Sequence, residues 1–335
     1  MLCAFLCLLC AFSWFKIPRV RISVAMCTYN GAQFLPAQLE SIFAQSRPPD
    51  EIVICDDGST DDTRSLIPDR VVFHENETNL GTVKNFEKAI GLCTGDVIVL
   101  SDQDDVWRQD KLQLIEEAFS RDPNVGLVFS DAEVVDEDLN LLGRRMWDDV
   151  GFDSHKRKLV SQGRALEVLI TGWTVSGATM AFRSIYAKLA LPIPTNIPMI
   201  HDGWIALTVA AVSDVAMIDE PLIKYRQHER QQIGAPTQKT QKQPSAREAL
   251  KQRHSSAELQ TILDTLHDRL STQGNGFDCR KALSFVDNYS RHLDVRANLP
   301  QRRLNRVPAV LRELLSWRYH EYANGFKSAA KDLVS

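Results

Sequence analysis

The sequence predicts an α/β fold with a doubly wound, mostly parallel central sheet, followed by a helical C-terminal region. Three observations lead to this prediction. Short apolar runs typical of buried strands alternate with segments whose apolar residues recur at helical spacing, between residues 22 and 218. Most of these runs end in polar turn residues and are joined by short loops, as in repeated strand–helix units. After residue 246 only helical periodicity remains.

The composition is that of a globular protein with no overall attraction to nucleic acid. Of the 335 residues, 44% are hydrophobic and 24% are charged, and the formal net charge is -4. The seven cysteines form an odd count without the paired spacing of a zinc site, which argues against a disulfide framework or structural zinc. We therefore expect a protein of the reducing cytoplasm that does not bind nucleic acid.

The first 19 residues form a separate hydrophobic segment. Residues 1–15 are apolar apart from Ser13, and the cations Lys16, Arg19 and Arg21 follow them. This run is short for a bilayer span, and it lacks the positive start and the small-residue cleavage site of a signal peptide. Two interpretations stay open: a short anchor or interfacial helix that leaves the following chain in the cytoplasm, or an extension from a misassigned start codon.

The early part of the chain contains four strand-and-turn units. The predicted strands cover residues 22–26, 51–55, 71–73 and 97–100. The polar segments that follow them are residues 27–31, 56–62, 76–81 and 101–107. Helices with one apolar face are predicted at residues 34–43 and 83–93 and after Asp110. Because the carboxyl ends of parallel strands meet at one edge of a sheet, we expect these polar segments to form one crevice.

The stretch 100–107 places three carboxylates, those of Asp102, Asp104 and Asp105, directly after an apolar strand. Crowded carboxylates repel one another, and a divalent cation with oxygen ligands relieves that repulsion. The first strand turn also lacks the glycine spacing of dinucleotide-binding and P-loop folds, so a phosphate would need another partner. We therefore predict a metal that bridges a diphosphate. The alternative is a solvated acidic turn that caps the next helix.

The middle of the chain adds a predicted strand at 125–129 and a polar, irregular region at 136–164, whose basic residues 156–158 are interpreted as a solvated face. A loop bounded by Gly172 and Gly177 then leads into another strand, and its glycines allow a ligand to approach the backbone closely. Asp202 opens the next helix. There it could act as an N-cap or, held ionised by the helix dipole, as a general base.

The last predicted strand covers residues 215–218 and precedes His228, which could be a third metal ligand or an ordinary polar residue. Residues 234–246 are rich in Gln, Lys, Thr, Pro and Ser and are predicted to be a mobile linker. Residues 247–335 are predicted to be helical. Near their end, in residues 314–326, aromatic and basic side chains are mixed, which suits either core packing or a membrane interface.

Four motifs follow one another along the chain. They are residues 28–31 (Thr-Tyr-Asn-Gly), 56–61 (Asp-Asp-Gly-Ser-Thr-Asp), 102–105 (Asp-Gln-Asp-Asp) and 201–204 (His-Asp-Gly-Trp). In this order they resemble the motifs of family 2 glycosyltransferases, which are inverting enzymes with a GT-A fold. The similarity to the bacterial rhamnosyltransferase-type members is carried by residues 100–107, 177–183, 225–234 and 322–329. The resemblance implies a GT-A domain over residues 20–233.

The resemblance also implies roles for individual residues. Those that would bind the nucleotide sugar are Thr28, Tyr29, Asn30, Asp56, Asp57, Asn79, Lys84, Asp102, Gln103, Trp173 and Gly177. Asp102, Asp104 and His228 would hold Mg²⁺ or Mn²⁺, with Asp104 as the more direct ligand and Asp102 on the ribose side. The sequence departs from the family after His228, where Glu229 and Arg230 replace the expected small or amide residues. Arg230 could bind phosphate instead.

The implied function is sugar transfer by a metal-dependent inverting enzyme in which Asp202 deprotonates the acceptor hydroxyl. The donor would be a dTDP- or UDP-linked sugar, with L-rhamnose from dTDP-rhamnose preferred. The acceptor would be a lipid-linked or oligosaccharide precursor of bacterial surface polysaccharide, and the protein would associate peripherally with the inner face of the cell membrane. Two alternatives remain. One is a nucleotidyltransferase, although residues 28–31 carry no Arg or Lys; the other is an inactive sugar- or nucleotide-binding, membrane-associated scaffold, although Asp104 and Asp202 are both present.

Overall fold

A computed structural model of the chain describes residues 20–229, 231 and 254–334. The predictions for residues 1–19, for Arg230 and for the linker at 234–246 lie outside the described residues. Within the described residues the predicted α/β class, with helices following the sheet domain, is confirmed. The apolar runs of the sequence form the strands of this sheet, because only a strand covered on both faces buries such a run completely.

Nine strands of the described chain form one sheet. They are β1 (Ile22–Thr28), β2 (Glu51–Asp56), β3 (Val72–Glu75), β4 (Val97–Ser101), β5 (Val106–Trp107), β6 (Val125–Val135), β7 (Leu141–Arg145), β8 (Met180–Arg183) and β9 (Asp214–Arg226). The strand order is β3-β2-β1-β4-β8-β6-β9-β5, with β7 paired to β6. The four strands β3, β2, β1 and β4 run parallel, so their carboxyl ends meet at one edge as predicted.

The sheet is mixed, whereas the sequence predicted a mostly parallel one. Strand β8 runs antiparallel to both of its neighbours, β4 and β6, although β6 and β9 are parallel to each other. Apolar periodicity shows that a segment is a buried strand, but it carries no information on strand direction. The reversal brings the loop before β8 to the edge where β4 ends.

The helices of the described chain each bury an apolar face, several of them directly against this sheet. They are α1 (Leu35–Phe43), α2 (Thr82–Leu92), α3 (Lys111–Arg121), α4 (Met146–Asp149), α5 (Ser154–Ser161), α6 (Ala165–Leu169), α7 (Ala187–Ala190), α8 (His201–Ala210), α9 (Ser256–Gln273), α10 (Arg280–Ala297), α11 (Arg303–Leu315), α12 (Arg318–Tyr322) and α13 (Phe326–Val334). Helix α8 differs from the others because it is buried nearly all round, with Trp204, Ile205 and Leu207 inaccessible to solvent. Such a helix belongs to the core and holds its first residues rigidly.

The region at 136–164 is ordered, so the prediction of an irregular segment was wrong. It contains β7, α4 and α5, and its rings pack on the sheet: the centroids of Trp147 and Phe152 lie 5.7 and 5.5 Å from that of Phe129. Because β7 is largely exposed, its sequence lacks the apolar run by which a buried strand is predicted. Within the basic run, Lys158 is exposed and the Arg157 guanidinium pairs with the Asp219 carboxylate at 3.0 Å.

Strand β9 extends well beyond the predicted segment at 215–218. Pro221 lies inside it, opposite Asp131, at a point where the register between β6 and β9 shifts. A proline in a strand usually signals a break, but a β-bulge tolerates it because no ladder hydrogen bond is required there. The extension carries Tyr225 and Arg226 to the edge where β1 and β4 end.

The C-terminal helices belong to two hydrophobic clusters. Helices α9 and α10 join the main core through residues such as Ile262, Leu266 and Val286. Helices α11 to α13 instead enclose a small cluster formed by Val310, Tyr319 and Ala329, which we call the C-terminal cluster. In the described part of the chain, no helix combines the length and the apolar character that a membrane crossing requires.

Candidate active site

The ends of β1 and β4 and the start of α8 surround a cavity of about 570 Å³. This volume lies within the range of small-molecule sites, roughly 300–1,000 Å³. Eleven of the residues predicted for the site line it: Thr28, Tyr29, Asn30, Asp57, Asp102, Gln103, Asp104, Trp173, Gly177, Asp202 and His228. The topology therefore brings four distant segments of the sequence to one crevice, at the sheet edge where α/β folds bind ligands.

Three other predicted residues, Asp56, Asn79 and Lys84, are not brought into the lining. The buried Asp56 carboxylate accepts hydrogen bonds from the Thr28 hydroxyl at 2.6 Å and from the Ser59 amide at 2.8 Å. The Asn79 side chain donates to the Asp57 carbonyl at 3.2 Å. The Lys84 ammonium bonds Glu87 Oε2 at 2.8 Å. These residues therefore hold the segments that form the cavity wall without lining the cavity themselves.

The Asp57 carboxylate lines the cavity and also fixes the turn that follows β3. Its Oδ1 accepts hydrogen bonds from the Asn76 side chain at 2.8 Å and the Leu80 amide at 2.7 Å, and its Oδ2 accepts one from the Gly81 amide at 2.8 Å. With so many donors already in place, this carboxylate is held in one orientation. A hydrogen-bond donor of a ligand would therefore find the Asp57 carboxylate in a fixed orientation.

Gln103 joins the acidic loop after β4 to the turn after β1. Its Oε1 accepts a hydrogen bond from the Tyr29 amide at 2.9 Å, and its Nε2 donates to the Tyr29 carbonyl at 3.1 Å. The amide packs so closely on Gly31 that a Cβ there would lie 2.1 Å from Gln103 Oε1. Asn30 adopts a positive φ of 48°, a conformation that Asn tolerates better than most residues. The two turns therefore form one rigid wall.

A lysine partly balances the charge of the acidic loop. Lys111 is fully buried at the start of α3, where its ammonium donates to the Ala178 carbonyl at 2.8 Å. Burial lowers the pKa of Lys111 to about 7, although the charges of Asp105 and Asp102 oppose that shift. Asp102 is reached from the cavity but lies deep in the protein, so desolvation, together with the charges of Asp104 and Asp202, raises its pKa to about 8. Burial likewise raises the pKa of Asp105.

Asp104 and His228 meet at the cavity wall. The His228 Nε2 and Asp104 Oδ2 atoms are 2.9 Å apart, and the imidazole packs on Phe34 with ring centroids separated by 4.4 Å. Arg226 holds the acidic loop in position, since its Nε donates to the Asp104 carbonyl at 2.7 Å and its amide donates to Asp105 Oδ1 at 3.1 Å. The loop that follows β9 is thereby fastened to the loop that follows β4.

The donor chemistry at this wall fits a divalent cation. Carboxylate oxygens suit Mg²⁺ and Mn²⁺, and an imidazole nitrogen is compatible with Mn²⁺. Desolvation and, after it, the charges of Asp104 and Asp202 raise the pKa of Asp102, and a cation would relieve the repulsion between these carboxylates. Over residues 20–229, 231 and 254–334, however, no three His, Cys, Asp or Glu side chains are grouped so as to hold a metal by themselves. Asp104 and His228 could therefore provide only part of a coordination shell, and a ligand would have to complete it.

Asp202 lies in the first turn of α8, one residue after its start, so it is not the N-cap, a position occupied by Ile200. Its Oδ2 accepts hydrogen bonds from Trp173 Nε1 at 3.0 Å and the Gly177 amide at 3.1 Å. Its Oδ1 accepts one from the Gly203 amide at 2.6 Å. Burial raises the pKa of Asp202 to about 6, against the lowering effect of these donors. A buried carboxylate with this pKa can accept a proton near neutral pH.

The sequence analysis did not single out several residues that line the cavity. They are Cys27, Gln33, Phe34, Thr60, Asp61, Thr82, Asn85, Phe86, Ser176, Ile200, His201, Tyr225 and Gln231. Asp61 and His201 lie within the recognised motifs, so the motifs could have identified them. His201 stacks on Phe86 with ring centroids 4.1 Å apart, and burial lowers its pKa to about 3, so the imidazole is neutral. The sequence assigned Phe34 only to a predicted helix and Tyr225 only to the stretch 225–234, because their place at the cavity depends on packing between distant elements.

Comparison with known proteins relates part of the sheet domain to a protein family. Residues 23–188 match the family model described as Glycosyl transferase family 2. An uncharacterized glycosyltransferase of Nostoc sp. is 30% identical over 222 residues, which cover 62% of this chain and 65% of that protein. The putative teichuronic acid biosynthesis glycosyltransferase TuaG of Bacillus subtilis is 33% identical over 98 residues, covering 28% of this chain and 39% of TuaG. The chain thus spans less than two thirds of the length of either relative.

The crystal structure of residues 1–349 of S. aureus TarS in complex with UDP-GlcNAc is similar to this chain with a TM-score of 0.53. The sequences are 14% identical, and the match covers 93% of this chain and 90% of that one. At this identity the likeness concerns the fold alone, and it agrees with the predicted GT-A type. The family match and the glycosyltransferase relatives indicate a transferase. Residues 23–188 therefore match the glycosyltransferase family 2 domain, and the described chain has a GT-A-type α/β fold.

Proposed function

We propose that the protein is an inverting glycosyltransferase that moves a sugar from a nucleoside diphosphate sugar to a hydroxyl group. One observation carries the proposal: a single cavity is lined by the polar ends of β1 and β4, by the Asp104–His228 pair and by the buried carboxylate of Asp202. The first two groups suit a nucleotide and its diphosphate, and the third suits a proton acceptor.

In the proposed reaction, Asp202 takes the proton of the acceptor hydroxyl as that oxygen attacks the anomeric carbon. The new glycosidic bond forms on the face opposite the diphosphate, and the bond from the anomeric carbon to the diphosphate oxygen breaks. The nucleoside diphosphate leaves with the electron pair, so the configuration at the anomeric carbon is inverted. Trp173 and the Gly177 amide orient the carboxylate through its Oδ2 atom.

We propose Asp104 and His228 as the protein donors to Mg²⁺ or Mn²⁺, with Asp102 on the ribose side. A bound divalent cation would supply charge neutralisation for the departing diphosphate. The residues of this chain hold the two donors together: Arg226 fixes the loop of Asp104, and Phe34 supports the His228 ring. Enzymes of this family commonly depend on such a metal.

The proposed substrates follow from the relatives and from the resemblance of the motifs. TarS was solved with UDP-GlcNAc, and TuaG is named for teichuronic acid biosynthesis, which supports a nucleotide-sugar donor and a bacterial surface polysaccharide as product. Within that class we propose L-rhamnose from dTDP-rhamnose as the donor. We further propose a lipid-linked acceptor and a location at the inner face of the cell membrane.

The proposal is tested by screening the purified chain against dTDP- and UDP-linked sugars with Mg²⁺ or Mn²⁺, scoring thermal shift, slow hydrolysis and transfer. We expect one donor to stabilise the protein and to be turned over. In Asp202→Asn the same donor should still bind, while turnover falls by about 10²–10⁴-fold because the proton acceptor is lost. Asp219→Asn, which changes a surface carboxylate, is the matched control and should keep its activity.

Two results of this screen would oppose the proposal. Turnover that survives in Asp202→Asn would show that another group accepts the proton. A chain that binds a nucleotide sugar but never releases nucleoside diphosphate would favour the inactive scaffold, and pyrophosphate release from a nucleoside triphosphate would favour a nucleotidyltransferase.

The metal assignment is tested separately by calorimetric titration of the nucleoside diphosphate with and without Mn²⁺. We expect the cation to strengthen binding to the native chain and to have little effect on Asp104→Ala, because one of its two protein donors is then missing. Equal affinities with and without Mn²⁺ in the native chain would refute the proposed metal role.

A further inference from the structure

Helix α11 exposes an apolar stripe outside its contact with the C-terminal cluster. Leu304, Val307, Leu311 and Leu315 recur at intervals of three and four residues, so they share one face of the helix. Leu304 and Leu315, at the two ends of the stripe, are 86% and 87% exposed. The inward-facing Val310, by contrast, is completely buried. Packing within the described chain therefore covers one face of α11 and leaves this apolar face in contact with solvent.

An aromatic group extends the apolar surface beyond the end of α11. Trp317 and Phe326 are 65% and 70% exposed, and the His320 ring lies between them, 4.4 Å from the first ring and 4.7 Å from the second. Trp317 adopts a φ of 67°, a left-handed conformation that a bulky residue rarely takes. The neighbouring Tyr319 is fully buried, so the aromatic residues of this segment divide between packing and exposure.

Cationic side chains flank this surface. Arg303 and Arg312 are exposed on either side of the stripe along the helix, and Lys327 and Lys331 are exposed on α13. Residues 299–334 contain seven Arg or Lys and only three Asp or Glu. Two of those acids are engaged inside the helical region: Glu313 binds His292 and Arg318, and Asp332 binds Arg296.

We propose that the exposed face of α11 to α13 binds the surface of an anionic lipid bilayer. An aliphatic stripe would enter the boundary between headgroups and acyl chains, an indole would lie at that boundary, and cations on the rim would attract acidic headgroups. The charge of the rim favours this occupant over a second copy of the chain, whose corresponding face would carry the same positive charge. The inference deepens the proposed function and rests on it in one respect: a lipid-linked acceptor would lie in the same bilayer.

The test uses the full chain with vesicles of phosphatidylcholine, alone or mixed with phosphatidylglycerol. Lipids brominated on the acyl chain should quench part of the tryptophan emission on the anionic vesicles, and Trp317→Phe should lose that part of the quenching. The double variant Leu304→Asn/Leu315→Asn should partition into anionic vesicles about tenfold less than the native chain, since two leucines no longer enter the bilayer. The matched control is Leu141→Asn/Ile185→Asn, which changes apolar residues that are 61% and 56% exposed elsewhere.

Three outcomes would overturn the inference. The first is equal quenching of the native chain and Trp317→Phe, and the second is equal partitioning of the double variant and its control. The third is that, without lipid, the native chain is a dimer and the double variant is a monomer. Transfer to a water-soluble acceptor should be unchanged in all of these variants. Loss of vesicle binding with retained transfer would therefore leave the proposed function intact, and absent transfer with intact vesicle binding would leave the surface assignment intact.

Discussion

The protonation of Asp202 reflects two opposing effects on one buried carboxylate. Desolvation disfavours its charge and raises its pKa to about 6, while the hydrogen bonds from Gly203, Gly177 and Trp173 favour its charge. The outcome is a group more basic than an ordinary carboxylate and yet ionised at neutral pH. In the proposed reaction, this balance would let the Asp202 carboxylate act as the general base beside an anionic substrate.

The first prediction concerns the pH dependence of turnover. Only the ionised form of Asp202 can accept the acceptor proton, so kcat should be constant above the Asp202 pKa and fall as pH decreases below about 6. In that lower range we expect a roughly tenfold loss per pH unit. Initial rates at saturating donor and acceptor measure this dependence. The residual activity of Asp202→Asn should lack the acidic limb, and a limb that persists in that variant would assign the titration to another group.

A second prediction concerns Trp173, whose Nε1 donates to Asp202 Oδ2. Trp173→Phe keeps a ring at this position but removes a donor that stabilises the ionised carboxylate, so the pKa of Asp202 should rise. The acidic limb of the kcat profile should move upward by about one pH unit, the equivalent of one hydrogen bond to a charged group. Trp147→Phe changes a buried ring that packs on Phe129 and Phe152 and makes no hydrogen bond to Asp202, so it should leave the limb in place. An unmoved limb in Trp173→Phe would show that the Nε1 hydrogen bond does not tune the base.

The sequence singled out most of the cavity residues that lie in motifs, although not Asp61 and His201, and it missed those whose position depends on distant contacts. Asp202 and Asp104 could be predicted because each lies in a short motif at the end of a strand or the start of a helix. Lys111 could not be predicted, because a lysine in the first turn of a helix usually faces solvent. Here its ammonium is buried on the Ala178 carbonyl, and the charges of Asp102 and Asp105 offset part of its desolvation.

At the scale of elements, the Arg269 guanidinium adds a polar attachment between α9 and the sheet domain to the apolar contacts of that helix. The Arg269 side chain donates to the carbonyls of Leu189, Ala190 and Pro192 at 2.7, 2.9 and 2.6 Å, and it lies over the Trp204 ring at 5.2 Å. These carbonyls belong to the end of α7 and the segment after it, where helical carbonyls lack partners within the helix. Arg269 therefore caps α7 from another element.

We predict that Arg269→Ala lowers the free energy of unfolding by about 2 kcal/mol, because buried carbonyls lose a charged donor. Chemical denaturation followed by circular dichroism measures this change. Arg269→Lys should recover only part of the loss, since an ammonium cannot reproduce the planar fork of the guanidinium. Arg280→Ala removes an exposed arginine that bonds only its near neighbour Asp278, and it serves as the control. Equal stabilities of Arg269→Ala and Arg280→Ala would refute the capping role.

The elements themselves were mostly predictable, whereas their directions and attachments were not. Helix α9 follows from apolar residues at helical spacing, but nothing in that spacing indicates that α7 is its partner. The direction of β8 and the continuation of β9 through Pro221 likewise depend on tertiary pairing. Local sequence predicts an element only where its apolar residues recur with one period, that of a helix or that of a strand. A β-bulge interrupts the period of a strand.

At the scale of the whole molecule, the described chain has one large hydrophobic cluster and one small one. The large cluster unites the sheet with α1 to α10, while the C-terminal cluster rests on Val310, Tyr319 and Ala329. A small core offers few apolar contacts, so this region should open more easily than the sheet.

We predict that backbone amides of α11 and α13 exchange with deuterium at a lower opening free energy than those of β1 and β4. Mass spectrometry of peptic fragments measures this difference, and uniform protection would show that the chain opens as one unit.

The separate C-terminal cluster has a consequence for how the protein would respond to a surface. A unit that opens on its own can lose and regain its structure while the cavity stays intact. A surface that binds α11 to α13 only when they are folded would shift the equilibrium between their folded and opened states toward the folded state by mass action. Deuterium uptake in these helices would then slow in the presence of anionic vesicles while uptake in β1 and β4 stays the same. The fraction of molecules in which α11 to α13 are folded would thus depend on whether a binding surface is present.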